Sequence, residues 1–274
     1  MRRSKLPCLL VSAVVLLGAR AASAQDYEEQ RYPVAYADRP LTLTGMTLAP
    51  DATFDATNLV KDPTAPERAF ETNFGVRVGV SFGILDFLEA RAFLGTLRFA
   101  PKVEYFEPGA ALTLRFPLPF DSFQMGLRAQ ATMLNQTPEE EGVRLQGSLP
   151  FLIRIGHSAR LDLEPGAILT LQEEKEMAFG ASLPVSFAFQ MVEAVGLGAR
   201  TSVFVQNFDD PVANLTIPLG FFLNISLGGT RPYVDIDPYF TWTEFSRPGA
   251  KLDNDKLDVD TFSAGATLRF YLFL

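Results

Sequence analysis

From Phe70 to Gly83 the chain alternates without a break. Phe70, Thr72, Phe74, Val76, Val78, Val80 and Phe82 hold one phase, and Glu71, Asn73, Gly75, Arg77, Gly79, Ser81 and Gly83 the other. A period of two sends successive side chains to opposite faces of an extended strand, so this segment has one almost wholly apolar face. The pattern returns as Phe123, Met125, Leu127, Ala129, Ala131 and Met133 against Gln124, Gly126, Arg128, Gln130 and Thr132, and again from Val143 to Ile155 against Arg144, Gln146, Ser148 and Arg154. Beyond the N-terminus no stretch carries the i, i+3, i+4, i+7 spacing of an amphipathic helix or 18 apolar residues in a row. The chain is therefore expected to be all-β.

Runs of this kind predict twelve strands, near 41–48, 69–83, 87–98, 109–116, 122–133, 143–155, 159–171, 178–190, 194–206, 213–227, 231–244 and 258–274. The first does not keep one phase across Gly45, and the third is ambiguous beyond Gly95. Most are longer than the five or six residues of a typical soluble strand and approach or exceed the roughly 9–11 that a tilted strand needs to cross a bilayer. The connections alternate as well: short at Leu85-Asp86, 117–121, 156–158, 191–193 and 228–230, longer or more polar at 49–68, 99–108, 134–142, 172–177, 207–212 and 245–257. If the N-terminus starts in the periplasm, every short turn falls on the periplasmic side, the polarity of an outer-membrane barrel.

Charge placement separates a membrane barrel from a soluble β-sandwich. The apolar faces carry no charge between their ends, while the opposite faces hold Glu71, Arg77, Arg115, Arg128, Arg144, Arg154, Arg160, Asp162, Glu164, Arg200, Asp235, Asp237 and Arg269. After the first 24 residues the five lysines, Lys61, Lys102, Lys175, Lys251 and Lys256, all sit in connections, and the strand bases are all arginine. A planar guanidinium fork suits a confined wall of paired charges better than a strongly hydrated ammonium.

The N-terminus reads as an export signal. Arg2, Arg3 and Lys5 precede an apolar run from Leu6 to Gly18, and Ala22-Ser23-Ala24 offers a cleavage site before Gln25. The expected organisation is a signal peptide over 1–24, cleaved after Ala24, a short acidic periplasmic segment over 25–39, and a barrel over 40–274. The mature chain would carry 20 basic against 32 acidic residues and no cysteine, since Cys8 leaves with the signal. So acidic a protein has no footprint for gripping nucleic acid.

The C-terminal run Ser263-Ala264-Gly265-Ala266-Thr267-Leu268-Arg269-Phe270 resembles the β-signal of Gram-negative outer-membrane barrels, with Ser263, Gly265, Leu268 and Phe270 at its polar, glycine, apolar and aromatic positions. The chain ends at Leu274, where that class usually ends in an aromatic residue. The stretch Phe74 to Gly95 is also similar to a hairpin recurring in porin-like barrels. The resemblance implies the outer membrane as location, its lipid and lipopolysaccharide as surroundings, and periplasmic chaperones and the barrel-assembly machinery as partners.

Outer-membrane hydrolases that resemble this size class rely on a histidine near the outer rim. The single histidine, His157, lies in the turn Gly156-His157-Ser158 on the expected periplasmic side, so no enzyme is expected. Acidic clusters occur at Glu139–Glu141, Glu173, Glu174, Glu176, Asp209-Asp210 and Asp253 to Asp260, and the last, which could chelate a hard cation, lacks the glycine and closing glutamate of a calcium loop. They read as solvated loops, or as loops sharing divalent cations with lipopolysaccharide phosphates. No cofactor or metal is implied. Eight strands give a filled interior and sixteen to eighteen an aqueous channel, so twelve lies between. The expectation is a narrow passive pore for small hydrophilic solutes, with Arg154 and Arg160 near its constriction. The alternative is a non-conducting structural or surface-interaction barrel whose wall charges merely satisfy one another.

Overall fold

The structure, a computed structural model, describes residues 32–60, 70–99, 104–134, 141–172, 177–209, 215–246 and 261–274. Its strands are β1 (Thr47–Val60), β2 (Phe70–Leu85), β3 (Leu88–Arg98), β4 (Glu104–Phe106), β5 (Gly109–Arg115), β6 (Phe123–Leu134), β7 (Gly142–Ser148), β8 (Phe151–Ile155), β9 (Ala159–Leu163), β10 (Gly166–Gln172), β11 (Ala178–Val192), β12 (Val195–Val205), β13 (Leu215–Gly228), β14 (Pro232–Ser246), β15 (Phe262–Phe270) and β16 (Leu272–Phe273).

Four pairs of these, β4 with β5, β7 with β8, β9 with β10 and β15 with β16, are halves of single crossing strands. Three of the breaks fall at Pro108, Pro150 and Pro165, and the fourth lies opposite Pro50 of β1. Proline has no N–H to give a ladder, so pairing lapses there. The register does not change: β6 pairs Arg128 with Ser148 on β7 and Phe123 with Ile153 on β8, one continuous alignment. Twelve antiparallel crossing strands remain, and β15 and β16 pair with β1 to close the barrel. The short turns lie between β2 and β3, β5 and β6, β8 and β9, β11 and β12, and β13 and β14. All are at the end where β1 begins, since Gly45 N–H donates to Asp86 Oδ1 in the first of them at 2.7 Å.

The expected first strand over 41–48 is corrected to Thr47–Val60. Most of it falls in the expected 49–68 connection, because Pro50, Ala52 and Ala56 dilute the apolar phase of its outward residues, Leu48, Pro50, Ala52, Phe54 and Ala56. Its inward ones, Asp51, Thr53, Asp55 and Thr57, nevertheless alternate cleanly against them. The uncertainty beyond Gly95 also has a structural cause. The β2–β3 register shifts between Arg77 and Gly79, opposite a Gly95 with φ of 80°. The extra residue of this bulge flips the phase, so Phe93 and Thr96 both face inward.

The apolar phase points out of the barrel. Phe54, Phe74, Val78, Leu127, Phe187 and Phe221 are exposed on the outer wall, while Asn73, Ser81, Thr113, Ser148, Ser182 and Asn224 on the other phase are buried inside. This inversion of the soluble arrangement matches a barrel whose solvent is hydrocarbon.

The stretch between the expected signal peptide and β1 holds a further feature: residues 32–46 run through the barrel interior. Tyr32, Val34, Ala37, Arg39, Thr42 and Leu43 are all buried, and Tyr32 and Leu43 pack with Ala49 and Tyr271 in an apolar cluster that Phe273 flanks. The expected periplasmic segment over 25–39 overlaps this stretch, and its described part, 32–39, is lodged within the wall because its aromatic residues and Arg39 find partners there. Residues 1–31, including the expected signal peptide, lie outside the described residues.

Candidate functional site

The inner wall is a lattice of arginines and their acceptors. Arg128 Nη1 on β6 donates to both oxygens of Glu164 at 2.9 and 2.7 Å, and Glu164 also accepts from Ser148 at 2.7 Å. Arg160 on β9 meets Asp162 through Nε and Nη2, the shortest contact being 2.7 Å. Arg91 on β3 pairs with Asp51 on β1 at 2.9 Å. Arg144 reaches Glu107 at 3.8 Å. In the register Arg269 on β15 stands between Asp51 on β1 and Asp235 on β14. Asp237 accepts from Asn224 Nδ2 at 2.6 Å.

Other arginines answer to neutral groups. Arg77 donates to Thr96 at 3.2 Å. Arg115 reaches the Asp86 carbonyl at 2.8 Å and Gln124 at 3.4 Å. Arg200, midway along β12, donates to Thr241 Oγ1 at 2.9 Å and lies 4.7 Å from the centre of the Tyr239 ring.

Residues 32–46 are tied across this wall from almost every side. Arg39 forms a double hydrogen bond with Asp235, its Nη2 at 2.9 Å, and donates to Ser226 Oγ at 2.7 Å and to the Val34 carbonyl at 2.9 Å. Tyr271 completes the acid's shell by donating to Asp235 at 2.6 Å. Both members of the pair are almost fully enclosed, at 3% and 0% exposure, so the satisfaction of every oxygen and N–H decides whether such a pair is tolerable. Tyr32, Tyr36 and Tyr271 rings surround the guanidinium at 5.5–5.8 Å. Burial raises the hydroxyl pKa of Tyr32 and Tyr36 above the ordinary tyrosine value, so both rings stay neutral and Asp235 supplies the counter-charge.

The remaining anchors are backbone contacts. Arg160 donates to the Arg39 carbonyl at 3.0 Å, and Arg154 to the Asp38 carbonyl at 2.8 Å. Ala37 N–H reaches Gln190 at 3.0 Å, Leu41 N–H reaches Gln124 at 2.9 Å, and Leu43 N–H reaches Glu89 at 2.9 Å. His157 touches Asp38 at 3.2 Å from an exposed turn. Arg154 and Arg160, expected beside a constriction, are thus brought together at the N-terminal segment, holding its carbonyls.

Alongside this segment the lumen is hollow. One cavity of about 410 Å³ is bordered by Tyr36, Arg128, Arg160, Pro184, Arg200 and Pro218, and another of about 350 Å³ by Arg39, Glu89, Arg91, Thr113, Gln130 and Arg269. Tyr36, Leu41, Arg128 and Arg160 line both, so the two adjoin.

The four positions of the assembly resemblance lie on β15 at the closing seam. Gly265 faces Asp55, and a Cβ there would stand 2.1 Å from the Phe54 carbonyl oxygen, so only glycine fits. Thr57 donates to Ser263 Oγ at 3.4 Å, Leu268 pairs with Ala52, and Phe270 is exposed on the outer wall.

Sequence reasoning missed Tyr32, Tyr36, Arg39, Asp51 and Asp55. Two signals were present: aromatic residues and an arginine after the acidic run has ended, and the alternation of Asp51, Thr53 and Asp55. Most of the acidic loop residues, including Asp253 to Asp260, lie outside the described residues.

Neither a family model nor a curated protein matches the sequence. Among solved structures, the fold is similar to the NanC porin, with a TM-score of 0.56 and 10% identity over 80% of this chain and 100% of that one. It is also similar to an outer-membrane channel from Pseudomonas putida F1, with a TM-score of 0.59 and 9% identity over 90% of this chain and 100% of that one. At such identities the likeness is one of fold. The chain thus shares the fold of these outer-membrane channels, a twelve-stranded antiparallel β-barrel with an apolar outer wall.

Proposed function

We propose that the protein is a narrow passive pore for small hydrophilic solutes, constricted at its periplasmic end by residues 32–46. The observation that carries this reading is the pair of adjoining cavities beside the segment, both bordered by wall arginines, where a purely structural barrel of this size would be expected to fill its centre with side chains. Export through a cleaved signal, chaperone escort and insertion by the barrel-assembly machinery belong to the same reading, with Gly265 and Phe270 as the recognised positions. No enzymatic role is part of it: the one histidine is engaged with Asp38 in a turn.

The dense ties of residues 32–46 also favour a second reading, a closed barrel that acts through its loops. Single-channel recording of the refolded mature chain in a planar bilayer, with swelling of protein-loaded liposomes in sugars and amino acids, separates the two. The pore reading expects small discrete conductance steps and size-limited swelling. A silent bilayer and unswollen liposomes, from protein with the heat-modifiable migration of a folded barrel, would leave the structural reading standing.

A further inference from the structure

Around the larger cavity the charges do not balance. Three arginines, Arg128, Arg160 and Arg200, face two carboxylates, Glu164 and Asp162, around the larger cavity. Arg128 is committed to Glu164 and Arg160 to Asp162. Arg200 meets no carboxylate among the described residues, and its partners are the Thr241 hydroxyl and the Tyr239 ring.

The guanidinium is nonetheless held in place. In the register Arg200 on β12 stands beside Gly220 on β13, which stands beside Thr241 on β14. Arg200 reaches across that glycine to donate to Thr241 Oγ1 and to lie over Tyr239. A Cβ on Gly220 would come 2.5 Å from Thr241 Oγ1 and 3.2 Å from Arg200 Nε, so the glycine keeps the path open. With one N–H spent on Thr241, the rest of the fork is free to meet an anion, and a planar fork matches a carboxylate through two parallel hydrogen bonds. The rest of the cavity wall includes Leu41, Pro150, Pro184 and Pro218, a rigid apolar surface in the same cavity as the charge. A volume of about 410 Å³ falls in the range of small-molecule sites.

We infer that this cavity is a binding site for a small monocarboxylate with an apolar body, its carboxylate held by Arg200 and its body against the proline-lined wall. This deepens the pore reading, on which it rests, by naming the class of solute that dwells in the lumen. A single excess positive charge favours a monoanion over a dianion or a neutral molecule. The apolar wall favours an aromatic or branched acid over acetate.

The test uses the mature, refolded protein with benzoate as probe and benzamide as its neutral counterpart. Calorimetric titration in detergent should detect benzoate and not benzamide, and benzoate should interrupt the chloride current through the pore. Arg200→Gln should weaken benzoate binding about tenfold to a hundredfold. Gly220→Ala, which keeps the charge and disturbs its seat, should weaken it by a smaller factor. Heat-modifiable migration confirms that each variant is folded. Should Gly220→Ala not fold, Arg200→Lys takes its place, and the loss of the fork should again weaken binding. Equal binding of benzamide, or unchanged binding in Arg200→Gln, overturns the site. Loss of binding in Arg77→Gln with retention in Arg200→Gln also overturns it. A pore that conducts chloride and ignores benzoate defeats this inference alone, whereas benzoate binding to a protein that never conducts defeats the pore reading and leaves the site.

Discussion

Arg39 carries more of the lumen's organisation than any residue of the wall, because it brings a charge from a segment outside the sheet to a carboxylate buried within it. Removing one member of such a pair strands the other, and the penalty exceeds the worth of the pair itself. Arg39→Ala should weaken the docking of residues 32–46 by about 3–5 kcal/mol. The amides of Leu41 and Leu43, bonded to Gln124 and Glu89, should then exchange faster with deuterium while the strand amides of β2 and β12 do not. Arg39 was not legible as a wall partner from sequence, because a single arginine following an acidic run gives no sign of where its counter-charge lies. The wall arginines were legible, since period two places them on the charged phase. Their partners were not, because Arg128 and Glu164 are separated by 36 residues and meet only when the strands are wound. On the outer face the sequence phase translates directly into an energy. Val78, Leu127 and Phe187 point into hydrocarbon, and replacing any one of them with arginine near the bilayer midplane should cost about 2–4 kcal/mol, read from urea unfolding in lipid vesicles.

At the scale of the element, alternation specified nearly every crossing strand, and it faltered where backbone chemistry overrode it. β1 was hidden because alanines and Pro50 dilute its apolar phase, and β3 lost its phase at the bulge formed at Gly95. The prolines between β7 and β8 and between β9 and β10 interrupt hydrogen bonding without shifting register, so the periodic reading passed through them unharmed. The seam between β15 and β1 is the element whose failure should be most visible. Gly265→Val would drive a side chain into the Phe54 carbonyl, and deletion of Phe270–Leu274 would remove the pairing of Leu272 and Phe273 with Leu48 and Thr47. Both variants are expected to be exported and to lack the heat-modifiable form in outer-membrane fractions. Normal levels of that form after the truncation would detach the C-terminal run from assembly.

At the scale of the whole molecule, the sequence determined a twelve-stranded barrel with an apolar exterior and a charged interior, and left open what occupies that interior. Strand count bounds the width of the lumen, while its content depends on a segment that forms no strand and on pairings between residues far apart in the chain. On the pore reading, residues 32–46 narrow a conducting path. Single-channel recordings of the wild type and of an Arg39→Ala/Arg160→Ala variant, in the same bilayer and salt, test it most directly, because those two side chains fasten the segment to Asp235 and to the wall. The wild type should give small, steady conductance, and the variant several-fold larger, noisier conductance as the segment swings out of the path. Equal conductance in the two proteins, or none in either, would contradict it.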